Sequence, residues 1–507
     1  MAAFETLLAN SLELARAVAQ DNIVNSSVLS RTHRGRLLRT GWLTPVIRGW
    51  YILGRPGSPG ESTNWYASYW AFIGQYLRNR FDVSYCLSAD SSIDFHLDSN
   101  AVPGQLIVMS SKGGSHRLEL PHGTSMFIYE AAELPENGET ILSIRTMPLA
   151  LALCRVSPTL FSQEPDKAEI VLRMANVTDV TRILLKGGHT SIAGRLVGAY
   201  RFLGDEQAAR RIENSMSAAG YRLRTENPFN TAQPVFGESP IRITSPYAAR
   251  IRAQWQRMRE PLSGMFPEAP GLTGNPKSVL KQIEELYEHD AYHSLSIEGY
   301  EVTAELVMRV RAGLWNPDAS QSDRDQRNAM AVRGYADAFT MVCTGAEKIF
   351  NGARPAGIIR EGLQDWYRAL FSPAVQAGII APGDLAGYRD DQVYIQASAH
   401  VPPPKGAILD AMDAFFECLT NEPVPIVAAI LGHFFFVFIH PFMDGNGRMG
   451  RFIMNILLVS AGYRWTIIRS DQERRNTYVQ SLERASVQGD ILPFAEFIRE
   501  EMEVEWQ

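Results

Sequence analysis

HPFMDGNGRMGR, running from His440 to Arg451, sets an imidazole, a carboxylate, an amide, three glycines and two guanidinium groups within twelve residues. The apolar run before it, Val424 to Ile439, reads as a buried helix whose continuation Pro441 opposes. Asp444 to Gly447 supply turn chemistry, and a new apolar period then begins at Met449, Phe452, Ile453, Ile456 and Leu457, with Gly462 as its stop. A glycine-rich loop feeding a helix N-terminus offers unpaired backbone N–H groups and a positive dipole end, which suit phosphate oxygens. Arg448 and Arg451, three apart, share a face of the first turn and can clamp further phosphates in forked geometry. Asp444 is a hard oxygen ligand placed where Mg²⁺ could bridge phosphates. His440 is the nearby residue suited to general-base work near neutral pH, although the C-terminal end of its helix favours the imidazolium and opposes that role. Asp-Gly and Asn-Gly are also ordinary turn dipeptides. The formal GxGxxG at Gly445, Gly447 and Gly450 fails as a dinucleotide signal because a helix, and not a strand, precedes it.

Around this segment the chain has soluble composition: 507 residues, 45% hydrophobic and 21% charged, material for several domains with real cores. Its 49 basic and 55 acidic side chains leave a net charge of −6, so there is no chain-wide cationic field for nucleic acid or anionic membrane, and any such contact must be local. Cys86, Cys154, Cys343 and Cys418 lie far apart and form no CxxC pair, which points to a reducing, cytoplasmic setting. The N-terminus carries Glu5 and Glu13 and no basic start before an apolar run, so no secretory leader is expected. Val424 to Ile439, at 16 residues including His433, falls short of the roughly 20 that span a bilayer, and no membrane partner is expected.

Asn227 to Pro246 holds Pro228, Pro234, Gly237, Pro240 and Pro246 among small polar residues without periodicity. This predicts a linker over 227–246 between an α+β front half and a mainly helical back half, 247–507.

The His440–Arg451 segment resembles the signature of the Fic (filamentation induced by cAMP) family, HPFxDGNGRxxR, at every specified position. HFFFVFIHPF before the loop and RFIMNILLVSAGY after it look like the two family helices that flank the active loop, and the resemblance covers roughly Tyr247 to the C-terminus. It implies a mainly α-helical Fic fold and transfer of AMP from ATP to a hydroxyl side chain of a target protein or of the chain itself. His440 would then deprotonate the hydroxyl, which attacks the α-phosphorus and releases pyrophosphate. Asp444 would hold Mg²⁺. Gly445, Asn446 and Gly447 would form the anion nest, Arg448 and Arg451 would meet the β- and γ-phosphates, and Phe442 would anchor the loop. The Gly445-Asn446-Gly447-Arg448 string is that of the adenylylating majority; the phosphate-transferring branch carries alanine and lysine within this loop.

Asn275 to Glu298 reads as one helix, with Pro276 in its first turn and apolar residues at Val279, Leu280, Ile283, Leu286 and Tyr287. Ser294 and Glu298 share a face, and Gly299 suits a C-terminal stop. The segment S-L-S-I-E-G resembles the family's inhibitory motif, [S/T]xxxE[G/N]. That resemblance implies a glutamate, Glu298, paired with Arg451, which keeps the ATP γ-phosphate from its productive place. Between Gly387 and Pro404, the β-rich Val393, Tyr394 and Ile395 suit an edge hairpin and resemble the Fic flap, which docks an extended target segment by strand addition; a structural loop is the other reading.

From Ile23 to Gly60 there are six arginines, Arg31, Arg34, Arg36, Arg39, Arg48 and Arg55, and no acidic residue. Helical patterns at Leu7 to Gln20 and Ser27 to Thr40 lead into a β-ribbon between Trp42 and Leu53, which reads as a winged helix over 1–60. Arg31, Arg34, Arg36 and Arg39 are its candidate contacts to double-stranded DNA, and a scaffold for protein contacts is the equal alternative. The start SRTHRGRLLRTGWLTPVIRGWYIL, with VSYCLSADSSIDFHL after it, resembles AbiEi-type antitoxins and related regulators, which implies an α/β antitoxin-like domain over 61–226. Two functions follow: a self-inhibited adenylyltransferase, or a DNA-binding regulator whose Fic domain acts as a nucleotide-dependent switch. A homo-oligomer is open on either.

Overall fold

The computed structural model describes residues 2–54, 61–98, 101–135, 138–230, 232–238, 242–272, 275–311, 326–376 and 380–506. The chain divides into two compact units, Met1–Arg250 with Tyr394–Val401, and Ile251–Val393 with Pro402–Gln507. It is mostly helical with small sheets, the sheets lying in the α+β first unit.

The first unit opens with α1 (Ala2–Val18), β1 (Ile23–Asn25), α2 (Arg31–Arg39), β2 (Leu43–Ile47) and β3 (Trp50–Leu53). The three strands form an antiparallel sheet in the order β1-β3-β2. α2 starts after Ser30, whose hydroxyl accepts from the His33 N–H at 3.4 Å. Leu37 of α2 is sealed with Ala15, Val24 and Leu43 in a small core of its own.

α3 (Glu61–Phe81) then lays Trp65, Tyr69, Phe72, Ile73 and Leu77 against a second core. The sheet beneath it uses β4 (Tyr85–Leu87), followed by α4 (Ala89–Leu97), β5 (Gln105–Ser110), β6 (His116–Glu119) and β7 (Ser125–Glu130), in the order β4-β5-β7-β6. β5 and β7 pair in parallel, with Leu106 opposite Met126. After the β8 (Glu139–Ile141) and β9 (Ile144–Thr146) hairpin come six helices: α5 (Leu149–Arg155), α6 (Thr159–Gln163), α7 (Pro165–Met174), α8 (Val177–Gly187), α9 (Thr190–Phe202) and α10 (Glu206–Ala218).

The proline-rich stretch after α10 is laid onto this unit. Phe229 stacks on Phe202 at 4.8 Å and meets Phe161 edge-on at 5.6 Å. The buried Glu169 carboxylate accepts from the N–H groups of Val235 (2.7 Å) and Phe236 (3.2 Å), and Arg173 donates to the Gly237 carbonyl at 2.8 Å. The carbonyls of Arg224 and Glu226 approach α9 so closely that a Cβ at Gly194 or Gly198 would collide with them. Regular structure resumes in α11 (Pro246–Leu262).

The second unit continues with α12 (Pro276–Glu285), α13 (Tyr287–Ile297), α14 (Ala304–Arg311), α15 (Gln326–Phe350) and α16 (Pro355–Gln376). After a loop come α17 (Ile408–Asn421), α18 (Pro425–Ile439), α19 (Asn446–Ser460), α20 (Gln472–Gln488) and α21 (Leu492–Met502). α18 is apolar all round and buried along nearly its whole length, the pattern of a central helix. α19 packs beside it, with Phe452, Ile453 and Ile456 fully buried, and Gly462 at φ 85° ends that run.

Two expectations change. The single helix over 275–298 is two, because the chain tightens at Leu286, whose N–H bonds to the Ile283 carbonyl three residues back. Val393, Tyr394 and Ile395 form no strand; they lead into a turn at Gln396 and Ala397, closed by the Ser398 N–H on the Ile395 carbonyl at 3.2 Å. No hairpin flap is formed, since no ladder partner stands beside this run among the described residues. Within the first unit, Tyr394 Oη donates to the Ala67 carbonyl of α3 at 3.4 Å and the Ala397 N–H to Thr63 Oγ1 at 3.1 Å.

Candidate functional site

The loop between α18 and α19 is held by its own backbone and by buried rings. His440 ends α18 in the left-handed region at φ 52°, its N–H on the Phe436 carbonyl at 3.0 Å. Phe442 is fully buried and stacks on Tyr367 of α16, with centroids 4.0 Å apart and 7° between the planes. Asn446 closes the loop on itself: its Oδ1 accepts from the Phe442 N–H at 3.0 Å and its Nδ2 donates to the Phe442 carbonyl at 2.8 Å. Its side chain is therefore a brace; of the residues read as the anion nest, Gly445 and Asn446 are buried and Gly447 is half-buried. Gly445 caps α19 at φ 77°, a conformation glycine adopts without steric cost.

Nδ1 of His440 lies 3.1 Å from the Val437 carbonyl, an acceptor only, so Nδ1 carries the proton and Nε2 is left with its lone pair. Burial holds the imidazole below its ordinary pKa and Arg389 adds to this, against the raising effects of the Val437 bond, Glu298 and Asp444. The helix-end field expected to favour the imidazolium is outweighed by desolvation.

Sequence reading did not single out Arg389. Its guanidinium donates to the carbonyls of His440 (2.8 Å), Asp391 (2.8 Å) and Pro403, and its N–H bonds to the Pro441 carbonyl at 2.9 Å. It is 4% exposed, a buried cation satisfied by backbone dipoles, and it ties the loop after α18 to the segment on either side of Val393. Its only sequence signal was an arginine directly after Gly387-Tyr388, beside the Val393 run.

The cations diverge in their partners. Arg448 is 1% exposed and sandwiched between Tyr300 and Phe371, with Cζ 5.2 and 4.9 Å from their ring centroids. Its Nε and one Nη are buried without a hydrogen-bond acceptor, and Asp444 stands 3.6 Å away. Asp444 itself is 61% exposed, with one oxygen on the Gly445 N–H at 2.5 Å. Arg451 is engaged with α13: Nε donates to Ser294 Oγ (2.8 Å), and one Nη donates to the Ser294 carbonyl (3.0 Å) and to Glu298 Oε1 (2.6 Å). Burial alone would depress the Arg451 pKa, but the Glu298 carboxylate more than reverses it and holds the guanidinium charged. Glu298 follows α13 as its C-cap, and Gly299 turns away at φ 81°. The carboxylate lies so close over the first turn of α19 that a Cβ at Gly447 would strike it. It thus occupies the mouth of the glycine cradle.

Asp444 is a single exposed carboxylate at the rim of this cradle, and no cluster of three His, Cys, Asp or Glu side chains fit to hold a metal exists among the described residues. One carboxylate beside a phosphate nest is the donor set through which Mg²⁺ is commonly held together with a nucleotide.

The candidate DNA contacts are divided by the fold. Arg34 donates to the carbonyls of Ser26 (3.2 Å) and Leu29 (3.4 Å), and Arg36 to the Leu7 carbonyl (3.1 Å) and Ser11 Oγ (2.5 Å). Both brace α2, while Arg31 and Arg39 remain exposed.

A family model described as Fic/DOC family matches residues 358–458. The protein adenylyltransferase Fic of Nematostella vectensis is 31% identical over 223 residues, covering 43% of this chain and 47% of that protein. The same-named protein of Drosophila mojavensis is 39% identical over 222 residues, covering 42% and 39%, and that of Drosophila yakuba 42% identical over 125 residues, covering 24% of each. The chain thus spans between about a quarter and a half of the length of the curated relatives it matches. Fic-1 of C. elegans (residues 134–508) aligns with a TM-score of 0.37 at 19% identity, covering 67% of this chain and 94% of that one. With the loop from His440 to Arg451 inside the matched span, residues 358–458 of this chain are a Fic domain.

Proposed function

We propose that the chain is a self-inhibited protein adenylyltransferase that transfers AMP from ATP to a Ser, Thr or Tyr hydroxyl of a target protein or of itself. The observation that carries this is the pair of guanidinium groups at the glycine cradle: Arg448 buried with unused donors, Arg451 held by Glu298. The named activity of the relatives supports the same reading.

In the reaction, His440 Nε2 takes the proton of the attacking hydroxyl as its oxygen closes on the α-phosphorus. The bond to the bridging oxygen breaks and pyrophosphate leaves, carried by the backbone N–H groups of 445–447 and by Arg448 and Arg451. Asp444 would hold Mg²⁺, which, when bound, neutralises phosphate charge. Arg389 keeps the His440 backbone in place, and Tyr367 holds Phe442 so that the loop keeps its shape. The brake is competitive: Glu298 holds the donors of Arg451 that a γ-phosphate needs, so ATP binds productively only once that contact opens.

The finer reading of the first unit is a winged helix in α1–β3, with Arg31 and Arg39 as the basic groups left to face a duplex. A DNA-binding regulator is not favoured as the whole function, since Arg34 and Arg36 are spent inside the fold. The scattered cysteines suit a reducing cytoplasm, and no helix among the described residues is long and apolar enough to cross a membrane.

The test uses Glu298→Gly protein with Mg²⁺ and either α- or γ-labelled ATP in a cell extract, with His440→Ala in the same background. Label on protein from the α-position alone, lost with His440, is expected. Transfer from the γ-position would make the chain a phosphate-transferring variant, and transfer from neither would remove the enzyme reading.

A further inference from the structure

The first unit contains a cleft of about 1230 Å³, larger than the usual range for small-molecule pockets and lined wholly by that unit. Its apolar lining includes Met109 of β5, Tyr129 of β7, Met147 before α5, Cys154 of α5, and Ile183 and Ile192 from α8 and α9. Two arginines, Arg195 and the exposed Arg155, also line it. Arg195 on α9 is half-buried, one of its Nη atoms is sealed from solvent without a hydrogen-bond acceptor, and its guanidinium lies over the Phe161 ring at 6.0 Å. Arg155 closes α5 at the rim and makes no ion pair or hydrogen bond among the described residues.

A guanidinium taken partly out of water without a carboxylate costs stability, and proteins keep such groups where a ligand supplies the anion. Burial presses the Arg195 pKa downward, and the only opposing influence is Cys154, whose thiol burial pushes up to about 12. The acidic groups on the same cleft do not relieve it: Asp179 pairs with Arg182 at 2.5 Å, and Asp90 and Glu133 make no contact with Arg155 or Arg195. The N-caps of α4 and α8, Ser88 and Asn176, also line the cleft.

We infer that this cleft binds a phosphate monoester carrying a flat, largely apolar body, of nucleoside monophosphate size, with Arg155 and Arg195 on the phosphate and the body over Tyr129 and the methionines. Two forked cations suit the two charges of a monoester better than a single carboxylate. The site is separate from the glycine cradle and makes no demand on its chemistry.

The test is binding of N-methylanthraniloyl-AMP to the full chain carrying Arg448→Ala, which cripples the cradle of the second unit. Saturable binding, displaced by AMP but poorly by adenosine or by inorganic phosphate alone, is expected. Arg155→Ala and Arg195→Ala should each weaken it by about ten- to a hundredfold, as for loss of a charge-assisted contact. Arg155 is exposed, so its variant tests the site without endangering the fold. Arg195→Met should also leave the unliganded protein as heat-stable as before or more so, where an arginine kept for structure would lower the melting temperature. No binding, binding indifferent to both arginines, or inorganic phosphate as tight as AMP would each overturn the inference.

Discussion

Replacing Glu298 by glycine removes the carboxylate to which Arg451 donates at 2.6 Å. The Arg451 side chain is 3% exposed and that of Glu298 26%, so water screens the contact weakly, and a hydrogen bond of this charged kind contributes about 1.5–3 kcal/mol. Arg451 keeps both bonds to Ser294, so its guanidinium is not orphaned and the loss stays in that range. The same free energy, taken off the closed arrangement, shifts the balance toward a γ-phosphate on Arg451 by about ten- to a hundredfold. The assay is the initial rate of α-labelled AMP incorporation at several ATP concentrations, for the unaltered chain, Glu298→Gly and Glu298→Gln. Glutamine keeps the length and one acceptor oxygen but not the charge, so its rate should fall between the other two. The melting temperature should drop by about 2–4 °C for each kcal/mol lost. If both variants melt lower yet label within about twofold of the parent at every ATP concentration, the pair is a structural bridge and the brake does not exist.

Phe442→Ala should cost about 3–5 kcal/mol through the void it leaves against Tyr367, read as a lower urea midpoint for the second unit, together with loss of labelling. Arg389→Ala should lower labelling by about a hundredfold at little change in ATP affinity, since it frees the His440, Asp391 and Pro403 carbonyls; an unchanged turnover would show that the loop holds itself. Because burial holds His440 below the ordinary imidazole pKa, the rate should stay flat as pH falls through 6.5 and drop only below it; an inflection above 6.5 would contradict the buried, neutral base. His433, on Tyr478 Oη at 2.9 Å, is lowered by burial to about 3. The unfolded chain therefore takes up a proton below about 6.5 that the folded one refuses until about pH 3. Its contribution to stability is full above that window and lost as pH falls through it, and His433→Gln should flatten this part of a urea-midpoint profile.

The loop between α18 and α19 was legible because its chemistry is written in consecutive residues: turn formers, glycines and two arginines between two apolar periods. What sequence could not say was which polar groups the fold consumes. Asn446 read as a member of the anion nest, and that reading said nothing of its side-chain amide, which spans the Phe442 backbone four residues back. Arg34 and Arg36 read as phosphate contacts by charge alone, while the carbonyls that claim them lie on α1 and in the turn before α2. The break at Leu286 was invisible because an apolar period of three and four persists through one tightened turn. Val393 to Ile395 carry β-prone side chains, but a strand exists only where a neighbour supplies the other half of its ladder. The Arg451 contacts to Ser294 and Glu298 join residues 157 and 153 apart, and only the likeness of S-L-S-I-E-G to a known brake drew attention to them.

His440 sits at φ 52°, where an L-residue with a Cβ is strained by roughly 1–2 kcal/mol relative to glycine. Stability selection alone would put glycine there. The imidazole is thus retained against the preference of its own backbone, and the choice of inactive control matters: His440→Gly relaxes the turn, whereas His440→Ala keeps the strain while discarding the ring. The difference in melting temperature between these two variants, both expected to lack labelling, would measure, at one position, how much thermal resilience the chain forgoes to keep an imidazole at the end of α18.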